Sequence, residues 1–292
     1  MTQTSKPVLE VSNLAVRFKT RNGVVNAIKD VSLSLGRGEI LGLVGESGSG
    51  KSVSAYAMLG LLESSGEVIN GAAIFDDGDL IGLPAKQLQA LRGSTISMIF
   101  QNARAALNPI RKVGEQLVDV IRAHKPMSRK RAEGEALAML QAVGLTDPAR
   151  RYHAYPFEMS GGMCQRIMIA LALVCSPKLL IADEPTTGLD VTTQATIMDL
   201  VSGLCRTKGM AAIFITHDLA LAADYCDRIA VMQAGRVVEQ GRADDILTSP
   251  QHPYTRALIA ATPRQDSTLA SLAAPPEAFL PEPSATTGET AP

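Results

Sequence analysis

The sequence predicts an α/β fold: a core of buried parallel strands, preceded by an antiparallel β subdomain and interrupted by an inserted α-helical subdomain. Three observations carry this expectation. The continuous apolar runs Ile40-Leu41-Gly42-Leu43-Val44, Leu179-Leu180-Ile181-Ala182 and Ala212-Ile213-Phe214-Ile215 have the character of strands covered on both faces. Residues 8 to 35 instead alternate apolar and polar side chains, as in a sheet with one face in water. Between core runs, about residues 104 to 175, the periodicity turns helical.

Bulk properties set the limits. The chain has 292 residues, 46% hydrophobic and 20% charged, enough for a large core and far from a disordered composition. A formal net charge of -1 provides no basic field for phosphate neutralisation, so nucleic acid is not an expected partner. Cys164, Cys175, Cys205 and Cys226 contain no C-x-x-C pair and read as reduced thiols in a core. MTQTSKPVLEV has no apolar leader segment, and no run approaches the roughly 18 apolar residues of a membrane span.

In chain order, Val8-Leu9-Glu10-Val11 and Val31-Ser32-Leu33-Ser34-Leu35 read as paired strands, with Asn22-Gly23 signalling the turn between them. The buried run ending at Val44 leads into Gly45-Glu46-Ser47-Gly48-Ser49-Gly50-Lys51-Ser52, and helix-compatible SVSAYAMLGLL follows. Strand, loop and helix together fit the phosphate-binding loop G-x-x-x-x-G-K-[ST]. Its glycines let backbone N–H groups wrap phosphates, Lys51 reaches the terminal phosphates, and the Ser52 hydroxyl suits Mg²⁺. The core is therefore read as that of a P-loop nucleoside triphosphatase.

Such a loop needs a carboxylate at the end of a neighbouring strand, and Asp183-Glu184 follows Leu179–Ala182. Asp183 suits the metal through water, and Glu184 suits polarisation of an attacking water. MIFQ places Gln101 at the end of another buried strand, and His217 follows Ile213-Phe214-Ile215-Thr216. In the helical stretch 129 to 143, Ala136, Leu137, Leu140 and Val143 share a face. EMSGGMCQRIMIA opens a helix on Ser160, Gly161 and Gly162, an anion-compatible N-terminus with no lysine. Asp190 stands where an N-cap would for VTTQATIMDLV. Ile229–Met232 and Val237-Val238 flank Ala234-Gly235 as a hairpin, and Pro263 to Pro292 reads as a mostly disordered tail.

In order and spacing these motifs resemble the ATP-binding subunits of ABC transporters across residues 8 to 262. EMSGGMCQR resembles the signature LSGGQ-x-QR, and Thr216-His217-Asp218 the switch histidine. Gln101 resembles the Q-loop glutamine, and TTGLD at 186 to 190 the D-loop. The resemblance implies the ABC ATPase fold over residues 1 to 262, with ATP and Mg²⁺ bound and ATP hydrolysed. It implies catalytic roles for Glu184, His217 and Gln101, and metal contacts from Ser52, Gln101 and Asp183. It further implies that Phe18 stacks on adenine, that Ser160, Gly161 and Gly162 meet a γ-phosphate held by another chain, and that Asp190 works across the dimer interface.

Finer features resemble the oligopeptide/dipeptide importer group, which also contains nickel and opine importers. They are GESGSGKS, Ala106-Leu107-Asn108-Pro109, YPFEMSGGM with Met163 where most of the family has glutamine, and His252-Pro253-Tyr254-Thr255 in a C-terminal extension at 245 to 264. Implied partners are a second, non-identical ATPase subunit, two transmembrane permease subunits and, indirectly, an extracytoplasmic binding protein. The implied place is the cytoplasmic face of the inner membrane, as a peripheral subunit. Two departures stand out. Asn102-Ala103 replaces the group's usual Asp-Pro after Gln101, and no cysteine follows Cys226, so no iron-sulfur cluster is expected. A DNA-maintenance ATPase shares the signature, but the near-neutral charge and the lack of long heptad arms between the phosphate loop and the acid pair count against that reading.

Overall fold

A computed structural model describes residues 6–261 of the chain; the tail expectation for 265 to 292 lies outside the described residues. β1 (Leu9–Thr20) and β2 (Gly23–Leu35) form an antiparallel hairpin in which Thr20 pairs with Gly23. Gly23 takes a φ of 119°, so the turn proper is Arg21-Asn22, one residue earlier than Asn22-Gly23 suggests. β3 (Ile40–Val44) is buried throughout and runs into the phosphate loop, after which α1 (Lys51–Met58) begins.

β4 (Gly66–Phe75) then pairs antiparallel with the other edge of β1, and β5 (Gly78–Asp79) closes that side. α2 (Ala85–Leu91) leads to β6 (Ile96–Ile99). Next come α3 (Ala103–Ala106), α4 (Val113–His124), α5 (Arg129–Ala142), α6 (Pro148–Tyr152), a single 3₁₀ turn at Pro156–Glu158, and α7 (Gly161–Leu173). The chain re-enters the sheet at β7 (Leu179–Asp183), followed by α8 (Val191–Lys208), β8 (Ala211–Thr216), α9 (Leu219–Tyr225), β9 (Arg228–Gln233) and β10 (Arg236–Arg242). α10 (Ala243–Thr248) and α11 (Pro253–Ala261) complete the described chain.

The strands form one sheet in the order β5-β4-β1-β2-β10-β9-β3-β8-β7-β6. From β9 to β6 neighbouring strands are parallel, whereas β1, β2, β4 and β5 are antiparallel; a single parallel bridge, Arg236 to Asp30, joins the two parts. Alternation along the parallel strands feeds two cores. Leu180, Ala182, Ala212 and Phe214 pack into one apolar cluster, and Leu179, Ile181, Ala211, Ile213 and Ile215 into the other. Burial on both faces is why these strands read as unbroken apolar runs.

The helices between β6 and β7 pack on the first cluster. In α5, Ala132, Ala136, Met139 and Leu140 are buried and Leu137 is half-buried against them, with Ser128 capping the helix. α7 is buried along most of its length, including Ile167, Met168, Ile169 and Ala170. Burying a side chain of this size contributes about 1.5–3 kcal/mol. That gain explains the apolar run after Ser160 but not the Ser-Gly-Gly before it. Cys164, Cys205 and Cys226 are buried free thiols, and burial pushes the last two up to about 12. Unreactive core packing is the outcome.

Candidate active site

The carboxyl ends of β3, β6, β7 and β8 all open on one edge of the sheet. β3 lies between β8 and β9, where the strand order reverses, and open α/β sheets bind ligands outside such a crossover. The phosphate loop occupies that point. A Cβ at Gly45 would overlap the Met232 carbonyl oxygen, so only glycine lets the loop leave β3 beside β9. Gly50 takes a φ of 106° at the start of α1, and a Cβ there would overlap Ile28. Glu46, Ser47 and Gly48 are exposed.

Lys51 is 4% exposed, and its Nζ donates to the carbonyls of Gly45 at 2.7 Å and Glu46 at 2.8 Å. Burial lowers its pKa, while Glu184, Asp183 and Glu46 pull the other way. The buried Ser49 hydroxyl finds no hydrogen-bond partner among the described residues. A phosphate seated in this loop would offer that hydroxyl a partner.

Asp183 ends β7 and is 2% exposed; its Oδ1 accepts the Ser52 hydroxyl at 2.8 Å. Burial raises its pKa and the Glu184 charge adds to this, against the Ser52 hydrogen bond. A hydroxyl and a buried carboxylate in contact are a donor set for a hard, oxygen-seeking cation such as Mg²⁺.

Glu184 then turns back sharply. Its φ is 46°, an uncommon value for a residue with a side chain, and its N–H donates to Ile215 O at 3.0 Å. The turn sends the Glu184 carboxylate across the strand ends. Its Oε2 accepts Gln101 Nε2 at 2.9 Å and Thr187 Oγ1 at 2.8 Å, and its Oε1 lies 3.4 Å from His217 Nδ1. Burial alone raises its pKa, but the Thr187 hydroxyl, His217 and Lys51 together hold it below the ordinary glutamate value. Gln101 itself stands two residues beyond the end of β6 and is exposed, a freer position than the end of a buried strand. Thr187 is the donor that residue type alone did not single out; its advance signals are its place inside TTGLD and three residues after the glutamate.

The remaining residues stand apart from this cluster. Ser160 caps α7 by accepting the Met163 N–H at 3.3 Å. A Cβ at Gly161 would meet nothing within 4 Å, and one at Gly162 only Thr193 Cγ2 at 3.7 Å. Among the described residues, no hydrogen bond joins Ser160, Gly161 or Gly162 to the phosphate loop. Gln165 of α7 donates to the Pro185 carbonyl, tying the helix to the turn after Glu184. Asp190 caps α8, accepting the Thr193 N–H at 2.9 Å and hydroxyl at 2.8 Å, and is exposed. Phe18 is half-buried on β1 over Gly66 of β4, packed on the same apolar cluster as Val53 and Tyr56 of α1.

The chain matches the family model described as ABC transporter over residues 28–187, and that described as oligopeptide/dipeptide transporter, C-terminal region, over 238–285. It is 52% identical over 260 residues to the oligopeptide transport ATP-binding protein OppD of Haemophilus influenzae, covering 89% of this chain and 80% of the relative. Similarity to the dipeptide transport ATP-binding protein DppD of Bacillus subtilis is 48% identity over 281 residues, covering 94% and 84%. Among solved structures, a dimeric ATP-binding cassette, MJ0796, in a post-hydrolysis state bound to ADP and Pi superposes with a TM-score of 0.72 at 27% identity, covering 80% of this chain and 98% of that one. The cbiO1 subunit of a Clostridium perfringens transporter complex gives 0.70 at 27% identity, covering 84% and 92%. With the phosphate loop, acid pair, glutamine and histidine arranged as above, the chain belongs to the ABC transporter family, among its oligopeptide and dipeptide ATP-binding subunits, and is an ATPase.

Proposed function

We propose that this chain energises uptake of di- and oligopeptides by hydrolysing ATP at the cytoplasmic face of a membrane, as a peripheral subunit beneath a permease. The observation that carries the reading is the convergence of Gly45–Ser52, Gln101, Asp183, Glu184 and His217 at four neighbouring strand ends. No helix among the described residues is long and apolar enough to cross a membrane, so the path for cargo is assigned to partner subunits.

Lys51, now held on two loop carbonyls, turns to the terminal phosphates when ATP enters, and the loop N–H groups take the remaining oxygens. Ser52, Asp183 and Gln101 would hold Mg²⁺, which neutralises phosphate charge. Glu184, kept ionised, orients the attacking water and accepts its proton, and His217 stabilises charge developing on the γ-phosphate. Phe18 stacks on the adenine.

Ser160, Gly161, Gly162 and Asp190 complete the site of a second ATPase subunit, a different chain in this reading. The exposure of Ser160, Gly161 and Asp190, and the lack of a hydrogen bond from any of the four to the chain's own loop among the described residues, support it. Closure is driven by ATP binding the closed pair more tightly than the open one, since a ligand indifferent to both shifts nothing. Reconstitution with permease and partner subunits in vesicles tests the reading. Labelled oligopeptide should accumulate only with ATP on this chain's side, and accumulation equal without ATP would contradict it.

A further inference from the structure

Three contacts from the C-terminal part of the chain bear on the phosphate loop. The Met232 carbonyl, near the end of β9, fills the space beside Gly45. In the β9–β10 turn, Gly235 N–H donates to Ser49 O at 2.9 Å. The third contact comes from His252-Pro253-Tyr254-Thr255. Tyr254, 1% exposed, accepts the Glu46 N–H on its hydroxyl at 3.2 Å, across 208 residues of sequence.

The segment that delivers Tyr254 is itself anchored. Glu239 of β10 accepts the Gln251 N–H at 2.7 Å and the His252 N–H at 3.0 Å. His252 Nδ1 accepts the Tyr254 N–H at 3.2 Å, and Pro253 opens α11, where its missing N–H is no loss. Thr255 and Tyr254 are both fully buried, so this is neither a plain surface helix nor a loose appendage.

Glu46 is thereby held on both sides: Tyr254 takes its N–H and Lys51 its carbonyl. Lys51 must release that carbonyl to reach a terminal phosphate, whereas nothing in nucleotide binding requires Tyr254 to let go. We propose that Tyr254 is a positioning residue for nucleotide binding, its hydroxyl holding Glu46 so that the phosphate loop is preorganised and the C-terminal extension becomes part of the nucleotide site. A loop held in its binding shape needs less ordering by the ligand, and affinity gains accordingly. This rests on the reading of Gly45–Ser52 as the nucleotide site.

Tyr254→Phe keeps the buried ring and removes only the hydroxyl. The full chain is titrated with Mg-ADP by calorimetry, with melting followed without nucleotide and amide exchange followed at Glu46. One hydrogen bond lost from the loop raises the Kd about 3- to 10-fold. Glu46 exchange accelerates, and melting moves by no more than about 2–4 °C. An unchanged Kd overturns the proposal, and so does a raised Kd with Glu46 exchange unaltered, because the effect would then not run through Glu46. Failure of the unsubstituted chain to bind Mg-ADP would instead overturn the nucleotide-site reading and this inference with it.

Discussion

Glu184→Gln separates the chemistry of the acid pair from its packing. The amide is nearly isosteric with the carboxylate, and its oxygen at the Oε2 position would keep the bonds from Gln101 and Thr187, now 2.9 and 2.8 Å. Its NH₂ at the Oε1 position would then donate to His217 Nδ1 in the tautomer that carries its proton on Nε2, across the present 3.4 Å. With every partner retained, the folding cost stays below about 1 kcal/mol. Removing a positioned base lowers a reaction by about 10²- to 10⁴-fold, or roughly 3–5 kcal/mol of barrier. ATP binding survives, because Lys51, Ser52 and the loop glycines are untouched. The assay is phosphate release from the assembled transporter, alongside Mg-ATP binding to the chain. Hydrolysis within about fivefold of the unsubstituted transporter, with binding intact, would refute the assignment of the base.

Other consequences follow from the same cluster. Asp183 is held above the ordinary aspartate value, so the folded chain binds its proton more tightly than the unfolded one; stability falls as pH rises from the unfolded value through the folded value. Asp183→Asn should therefore melt higher than the unsubstituted chain at neutral pH, with the gap closing in acid while turnover is lost; a lower melting point at pH 7 would contradict the burial argument. Thr187→Val removes one donor from the Glu184 carboxylate, and turnover should fall about 3- to 10-fold with Thr187→Ser restoring it, measured as phosphate release. Because Glu184 is held below the ordinary glutamate value, the acidic fall in turnover assigned to it should lie below that value, and Thr187→Val should move it upward.

Which features were legible follows from where their causes lie. β3, β7 and β8 were plain because burial on both faces writes an apolar run into consecutive residues. The phosphate loop was equally plain, since its glycines are forced by local backbone geometry and the Met232 carbonyl. β4 carries a weaker mark: its pattern Gly66–Phe75 is broken by two glycines and leaves Ile69 45% exposed, and its existence depends on pairing with β1. Gln101 and Glu184 could be named separately, but their hydrogen bond spans 83 residues and needed the fold. The same holds for Tyr254 and Glu46, where the His252-Pro253-Tyr254-Thr255 stretch was visible and its target was not. Thr187 acts through the left-handed turn at Glu184, which no residue preference announces.

In the proposed function, Ser160, Gly161 and Gly162 serve a nucleotide held by another chain. Ser160→Arg tests it most directly when two quantities are measured together: Mg-ATP affinity of the isolated chain, and ATP hydrolysis by the assembled transporter. Affinity should stay within about twofold of the unsubstituted chain, because Ser160 shares no hydrogen bond with Gly45–Ser52, and hydrolysis should fall at least about tenfold. Full hydrolysis in the assembled transporter, or loss of the isolated chain's own ATP binding to the extent caused by Lys51→Ala, would contradict it.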